Sequence, residues 1–276
     1  MIEKKFGIIG KPLSHSLSPI LHNYWFKKYN ISANYSLIEI EPSEIEGVIK
    51  KIRNNELHGI NVTVPYKQFV IPFLDLIIDD AKETLSVNTI SLNEEGKVVG
   101  NNTDVYGIEN GFVKKLKNQN LKDNKVIILG AGGVAPSVVY ALFNKGVKKI
   151  FISNRTHKKA EDIKRRYPFV EIIKWENIDE EIKNMDIIIN ATSLGLENEN
   201  NFKQEFKHTK PNLVYYDIIY NPKETAMIKK FKKKGIKTFN GLEMFIYQGQ
   251  KSFSLWNKLN PELDEELIQK IASELK

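Results

Sequence analysis

Apolar runs of four or five residues alternate with stretches of helical periodicity along most of the chain, the pattern of an α/β protein. In the N-terminal part the pattern predicts strands at Phe6–Ile9, Tyr35–Ile40, His58–Val64 and Val87–Leu92. Helices are predicted at Pro19–Tyr29 and at Ser43–Arg53, the second opened by a Ser43 cap with Glu46 three residues on. A further helical stretch follows Asp104, itself a candidate cap, and ends near Lys114-Lys115-Leu116-Lys117. Beyond Lys125 the strands become more regular: Val126–Leu129, Lys149–Ser153, Val170–Ile173, Asp186–Asn190, Leu213–Asp217 and Ile236–Phe239. Runs such as Val-Ile-Ile-Leu and Ile-Ile-Ile lack polar alternation, which predicts strands buried on both faces of a parallel sheet. The change of pattern near residue 104 divides the chain into an N-terminal α/β domain, 1–104, and a second domain over 105–239.

Composition narrows the chemistry. The 276 residues carry 41% hydrophobic and 27% charged side chains, a globular balance that excludes disorder. With no cysteine there is no disulfide, thiolate metal site or cysteine nucleophile. The five histidines offer no ligand spacing, so no metal is expected. The apolar run after Lys4-Lys5 is too short for a signal-peptide core. Val126 to Phe143 has no charge for 18 residues, near the lower limit for a membrane span, but Gly130-Ala-Gly-Gly-Val-Ala-Pro136 in its middle suits a turn between a buried strand and a buried helix. A cytoplasmic protein with no membrane partner is expected. The net charge of +7 is compatible with nucleic acid, anionic small molecules or lysine-rich surfaces.

Gly130-Ala131-Gly132-Gly133-Val134-Ala135 fits G-x-G-x-x-A between a predicted strand and a helix-compatible stretch. Gly130 permits a tight turn, Gly132 lets a pyrophosphate approach the backbone, and Ala135 is small enough for close helix–strand contact. The diphosphate would meet free N–H groups at the positive end of the helix, with Pro136 harmless in the first turn. The second domain therefore reads as Rossmann-like and doubly wound. An NAD site places a carboxylate about 20 residues on, for the ribose 2′-hydroxyl. Here Lys149–Ser153 runs into Asn154-Arg155-Thr156, followed by His157-Lys158-Lys159, and no carboxylate fills the slot. Arg155 suits a 2′-phosphate, so NADP is expected rather than NAD; the alternative is a helix cap beside surface cations.

Three segments of the N-terminal half are unusual for scaffolding. Ser14-His-Ser16-Leu-Ser18-Pro19 sets three hydroxyls on one loop, which would hold a carboxylate, although Ser18-Pro19 also reads as an N-cap and N1 pair. Asn61 and Thr63 share one strand face at period two, and Lys67 follows Pro65 in an expected first helical turn, where the helix dipole disfavours a cation. Val87-Asn88-Thr89 and Asn101-Asn102-Thr103-Asp104 complete the set.

In this order, together with Asn190-Ala-Thr-Ser193, Asn240-Gly-Leu-Glu-Met244 and Gln248, these motifs resemble the shikimate dehydrogenase family across nearly the whole chain. The resemblance implies reversible NADP-dependent reduction of 3-dehydroshikimate to shikimate, with Lys67 and Asp104 as the catalytic pair. It implies shikimate ligands at Ser16, Ser18, Asn61, Thr63, Asn88, Tyr220 and Gln248. The two serines would meet the carboxylate, and Asn61, Asn88, Asp104 and Gln248 the ring hydroxyls. It implies cofactor contacts at Gly130 to Ala135, Asn154, Arg155, Thr156, Lys159, Thr192, Ile218, Gly241 and Met244. It also implies that the chain from about Asn240 returns to complete the first domain. Lys159 and Asn101 stand where the family often has Arg and Asp. Monomer and homodimer are both compatible with the sequence. The rivals are a quinate/shikimate dehydrogenase of broader specificity, a non-catalytic shikimate sensor, and a nucleic-acid binder using Lys229-Lys-Phe-Lys-Lys-Lys234; that last run equally reads as a helix end before Gly235.

Overall fold

A computed structural model describes residues 3–116, 121–196 and 201–275. Lys117, the expected end of one helical stretch, lies outside the described residues. The chain forms two compact units, Met1–Tyr106 with Ile246–Leu275, and Gly107–Phe245.

Unit 1 contains β1 (Lys4–Gly10), α1 (Ser18–Lys28), β2 (Ala33–Glu39), α2 (Ile45–Arg53), β3 (Gly59–Val62), β4 (Leu76–Ile77), α3 (Asp80–Thr84), β5 (Thr89–Leu92) and β6 (Val98–Asn101). Its sheet runs β2-β1-β3-β5-β6-β4, with β3–β5 and β5–β6 antiparallel and the other pairs parallel. Ile45, Val48, Ile49 and Ile52, at helical spacing on α2, enter a core with Ile9, Ile60, Val62 and Ile90 from the sheet. The divide between the units falls within α4 (Asp104–Gly111) and again within the long helix over Leu242–Asn257. Ring contacts join Phe6 of β1, Phe26 of α1 and Phe253 and Trp256 of that long helix.

Unit 2 contains β7 (Lys125–Leu129), α5 (Ala135–Asn144), β8 (Lys149–Ser153), α6 (His157–Arg166), β9 (Glu171–Ile172), α7 (Ile178–Glu181), β10 (Ile187–Asn190), β11 (Val214–Asp217), α8 (Ala226–Lys233) and β12 (Lys237–Phe239). The long helix is α9 (Leu242–Asn257), and α10 (Glu265–Ser273) follows it. All strands of this sheet are parallel, in the order β12-β11-β10-β7-β8-β9, the doubly wound order in which ligands bind outside the strands' carboxyl ends. Every residue of β10 and β11 is buried, as their unbroken apolar pattern predicts. The uncharged run 126–143 resolves into β7, a turn and α5, and no helix among the described residues is long and apolar enough to cross a membrane.

Three local expectations are corrected. The cap before α2 is a reciprocal pair between Glu41 and Glu44 around a short 3₁₀ turn at Pro42–Glu44, and not Ser43 with Glu46. Ser18 lies inside α1, whose capping residue is Leu17. The edge strand β4 and its neighbour β6 have no counterpart in the predicted elements, and β3 ends at Val62, one residue short of Thr63.

Candidate active site

The Lys67 segment is built from main-chain contacts and contains no helix. Residues 64–70 form successive turns, so the helix expected after Pro65 is absent. Val87 N–H donates to the Lys67 carbonyl (2.8 Å), and the buried Tyr66 hydroxyl donates to the Ile40 carbonyl (2.6 Å). These contacts press the turn against the start of β5 and bury Lys67, which is 8% exposed. A buried ammonium needs a partner, and Lys67 Nζ donates to Asp104 Oδ2 at 2.5 Å.

Asp104 opens α4 but does not cap it. Asn102 Oδ1 accepts from the N–H groups of Asp104 (2.9 Å) and Val105 (3.4 Å), while its amide donates to the Ser86 carbonyl and to Thr84 Oγ1. With Asn102 satisfying the first turn, the Asp104 carboxylate is available for side chains. Asn88 Nδ2 donates to Asp104 Oδ1 at 3.0 Å and lies 3.4 Å from Gln248 Oε1. Lys67 and Asn88 therefore hold one carboxylate oxygen each.

Asn61, expected to meet a ring hydroxyl, lies among polar groups of unit 1. It is 4% exposed; its Oδ1 accepts from the Tyr35 hydroxyl (2.7 Å), and its Nδ2 faces the Asn88 carbonyl, Thr89 Oγ1 and Ser252 Oγ. These partners anchor the Asn61 amide inside unit 1, beside Asn88. Thr63 is half-buried just beyond β3. Ser16 and Ser18 pair at the start of α1, their hydroxyl oxygens 3.2 Å apart. Tyr220 belongs to unit 2, where its ring stacks on Phe245 with centroids 4.4 Å apart. The sequence marks Thr89 and Thr103 only as members of their motifs and does not mark Ser252; polar residues inside otherwise apolar strand and helix faces are the signal for these buried hydroxyls.

In unit 2 the glycine-rich turn joins β7 to α5. Gly130 has φ +104°, and a Cβ there would lie 2.7 Å from Thr192 Cγ2, so a side chain is excluded on both grounds. A Cβ on Gly132 would meet no atom within 4 Å, which leaves that backbone open to a bound group. Asn154, just beyond β8, accepts from Ala131 N–H (3.0 Å) and donates to the Thr156 carbonyl (2.8 Å), tying the glycine-rich turn to the segment after β8. Arg155, Lys158 and Lys159 are exposed and form no ion pair among the described residues, so their charge is available to an anion. Thr192 is fixed by Asn190, whose amide also donates to Asp217 Oδ1 (3.0 Å). Burial pushes the Asp217 carboxyl up to about 6, against the opposing donors Thr225, Ile219, Tyr215 and Asn190. Gly241 packs so tightly that a Cβ would sit 1.8 Å from the Ile218 carbonyl oxygen, and Met244 is buried. The open Gly132 backbone and the three unpaired cations fit a dinucleotide bearing an additional phosphate.

A doubly wound unit with this turn and these cations, covalently continuous with a unit holding a buried lysine–aspartate pair, defines a dinucleotide-binding α/β protein with its polar site in a separate substrate unit. The model of the shikimate dehydrogenase substrate binding domain matches residues 8–90, and that of shikimate / quinate 5-dehydrogenase matches residues 113–243. The chain is 47% identical over 268 residues to the shikimate dehydrogenase (NADP(+)) of Pelagibacter ubique, covering 97% of this chain and 98% of that protein. The crystal structure of shikimate dehydrogenase from Aquifex aeolicus superposes with a TM-score of 0.87 at 36% identity, over 98% of this chain and 99% of the other. That of the Thermus thermophilus shikimate 5-dehydrogenase with NADP(H) and shikimate has a TM-score of 0.85 at 28% identity, covering 99% and 100%. The chain belongs to the shikimate dehydrogenase family.

Proposed function

We propose that Lys67 and Asp104 handle the proton in NADP-dependent interconversion of 3-dehydroshikimate and shikimate. The carrying observation is the 2.5 Å contact between two buried, oppositely charged groups, with Asn88 on the remaining carboxylate oxygen. In the reducing direction the Lys67 ammonium donates a proton to the oxygen of the ring ketone as it becomes an alkoxide. Asp104 orients that ammonium and accepts from a neighbouring substrate hydroxyl. In the oxidising direction neutral Lys67 takes the hydroxyl proton. NADPH, when bound, supplies the hydride.

Ser16 and Ser18 hold the substrate carboxylate, and Thr63, Asn88, Gln248 and Tyr220 complete the substrate contacts. The turn Gly130 to Ala135, with Asn154 and Thr156, holds the diphosphate end of the cofactor, and Arg155 and Lys159 its extra phosphate. Thr192, Ile218, Gly241 and Met244 border the remainder.

Proton donation in the transition state is worth about 10²–10⁴-fold, so Lys67→Ala is expected to lower kcat by that order with a smaller change in KM. Steady-state kinetics with shikimate and NADP checks this, and near-normal kcat would overturn the assignment. Comparing kcat/KM for shikimate and quinate with NADP and NAD tests substrate and cofactor choice.

A further inference from the structure

Asn88 touches the proposed proton-handling pair with an amide that has two unlike ends. Its NH2 holds a carboxylate, whereas its carbonyl would repel one. We propose that Thr89 and Thr103, which are 0% and 1% exposed and too buried to reach a substrate, are positioning residues that set the direction of this amide. The inference rests on Lys67 and Asp104 being the proton-handling pair.

The direction is fixed from groups that have no choice. The Thr103 main-chain N–H can only donate, and it points at Asn88 Oδ1 at 2.7 Å. The Thr89 hydroxyl lies 3.1 Å from the same oxygen, whereas the Thr103 hydroxyl meets both ends of the amide, 3.1 Å from Oδ1 and 2.9 Å from Nδ2, so at Thr103 the main-chain N–H sets the direction. Nδ2 is thereby turned to Asp104 Oδ1, on the side of the carboxylate opposite Lys67.

The other end is fixed as well. The Asn88 main-chain carbonyl can only accept, so Asn61 must present its NH2 there (3.0 Å), and the same NH2 reaches Thr89 Oγ1 (3.1 Å). The remaining end of Asn61 accepts from the Tyr35 hydroxyl. Thr89 Oγ1 accepts from Asn61, and its own hydrogen reaches Asn88 Oδ1 at 3.1 Å. A third hydroxyl, Ser252 on α9, lies 2.8 Å from Thr89 Oγ1 and 3.1 Å from Thr103 Oγ1 and donates to the Gln248 carbonyl (3.0 Å). Donation thus runs one way, from Tyr35 through Asn61, Thr89 and Asn88 to Asp104, and none of the first three needs to contact a ligand for the last two to be set.

The test uses Thr89→Val and Thr103→Val, which replace the hydroxyl by a methyl, with Thr89→Ser and Thr103→Ser, all in the full chain. Thr89→Val is expected to lower kcat/KM for shikimate about tenfold, the scale of one hydrogen bond to a charged network, and Thr103→Val, which keeps the main-chain N–H donor, by less. The serine variants should return it to within about twofold, and in an Asn88→Ala background Thr103→Val should add less than about twofold. Thermal unfolding identifies a variant that fails to fold; Thr89→Val then carries the test if Thr103→Val does so. Unchanged kcat/KM in the valine variants overturns the inference, as does an equal loss with and without Asn88, which would make the threonines packing residues only. Lys67→Ala with normal kcat would overturn the underlying pair instead, whatever the threonine variants do.

Discussion

Arg155 stands at the end of β8 with no carboxylate pairing it and with Lys158 and Lys159 close behind in sequence. Its guanidinium suits a phosphate dianion by two parallel hydrogen bonds, worth about 1.5–3 kcal/mol as a charge-assisted contact. Arg155→Ser should therefore weaken NADP binding by roughly 10- to 100-fold and leave NAD binding nearly unchanged. Fluorescence titration of both cofactors measures the difference, and equal effects on the two would remove Arg155 from the 2′-phosphate site. The NADP cofactor was readable because the missing acidic residue and the present basic one lie within a few positions of each other. The surroundings of Asn61 were not, because period two along a strand says which face a side chain takes but not what else occupies that face. Tyr35 and Ser252, which take up its amide, are 26 and 191 residues away.

At the scale of elements, α4 depends on Asn102. Its side chain satisfies two N–H groups of the first turn while anchored to Ser86 and Thr84. Asn102→Ala should cost about 0.5–2 kcal/mol, as lost caps do, and should lower kcat as well, because the backbone that carries Asp104 loses its anchor. Urea midpoints and kinetics on one preparation check both, and a stability loss with unchanged kcat would separate the cap from the site. The elements of unit 2 were legible because strands buried on both faces announce themselves as unbroken apolar runs. In unit 1, β4 has two residues and β6 reads Val-Val-Gly-Asn, too short for any periodicity to show. Caps were the least legible feature. Several neighbouring Ser, Asp, Asn and Glu residues offer an oxygen, and only the backbone path selects Glu41 over Ser43, or Asn102 over Asp104.

At the scale of the whole molecule, one buried group in each unit predicts opposite responses to acid. His22 of unit 1 is fully buried, with neither ring nitrogen hydrogen-bonded, and stacks on Tyr35; burial pulls its pKa down to about 3. A depressed folded-state value stabilises fully above the ordinary value near 6.5, and that contribution falls by about 1.4 kcal/mol per unit as pH drops below it. Asp217 of unit 2 is raised to about 6. Its contribution is therefore greatest below the ordinary carboxyl range and is lost as pH rises through 6. Acidification from pH 7 to 5 should weaken unit 1 and spare or strengthen unit 2. Trp25 and Trp256 lie in unit 1 and Trp175 in unit 2, so Trp175→Phe leaves fluorescence that reports unit 1. Its urea midpoint should fall on acidification, and His22→Phe, which keeps the stacked ring, should remove most of the fall. A midpoint that His22→Phe leaves just as sensitive to pH would exclude this histidine as the cause.

Unit 1 is also discontinuous, since Ile246–Leu275 packs with Met1–Tyr106. During synthesis the ribosome delivers all of unit 2 before the segment that supplies Ser252 to Thr89 and the Glu262 carbonyl to the Trp25 indole. The nascent N-terminal segment must therefore wait with part of its apolar surface uncovered, while unit 2 has its whole sequence in hand and can fold first. Order of folding here is set by threading rather than by position, and the polar site that Lys67 and Asp104 occupy is among the last parts of the chain to become complete.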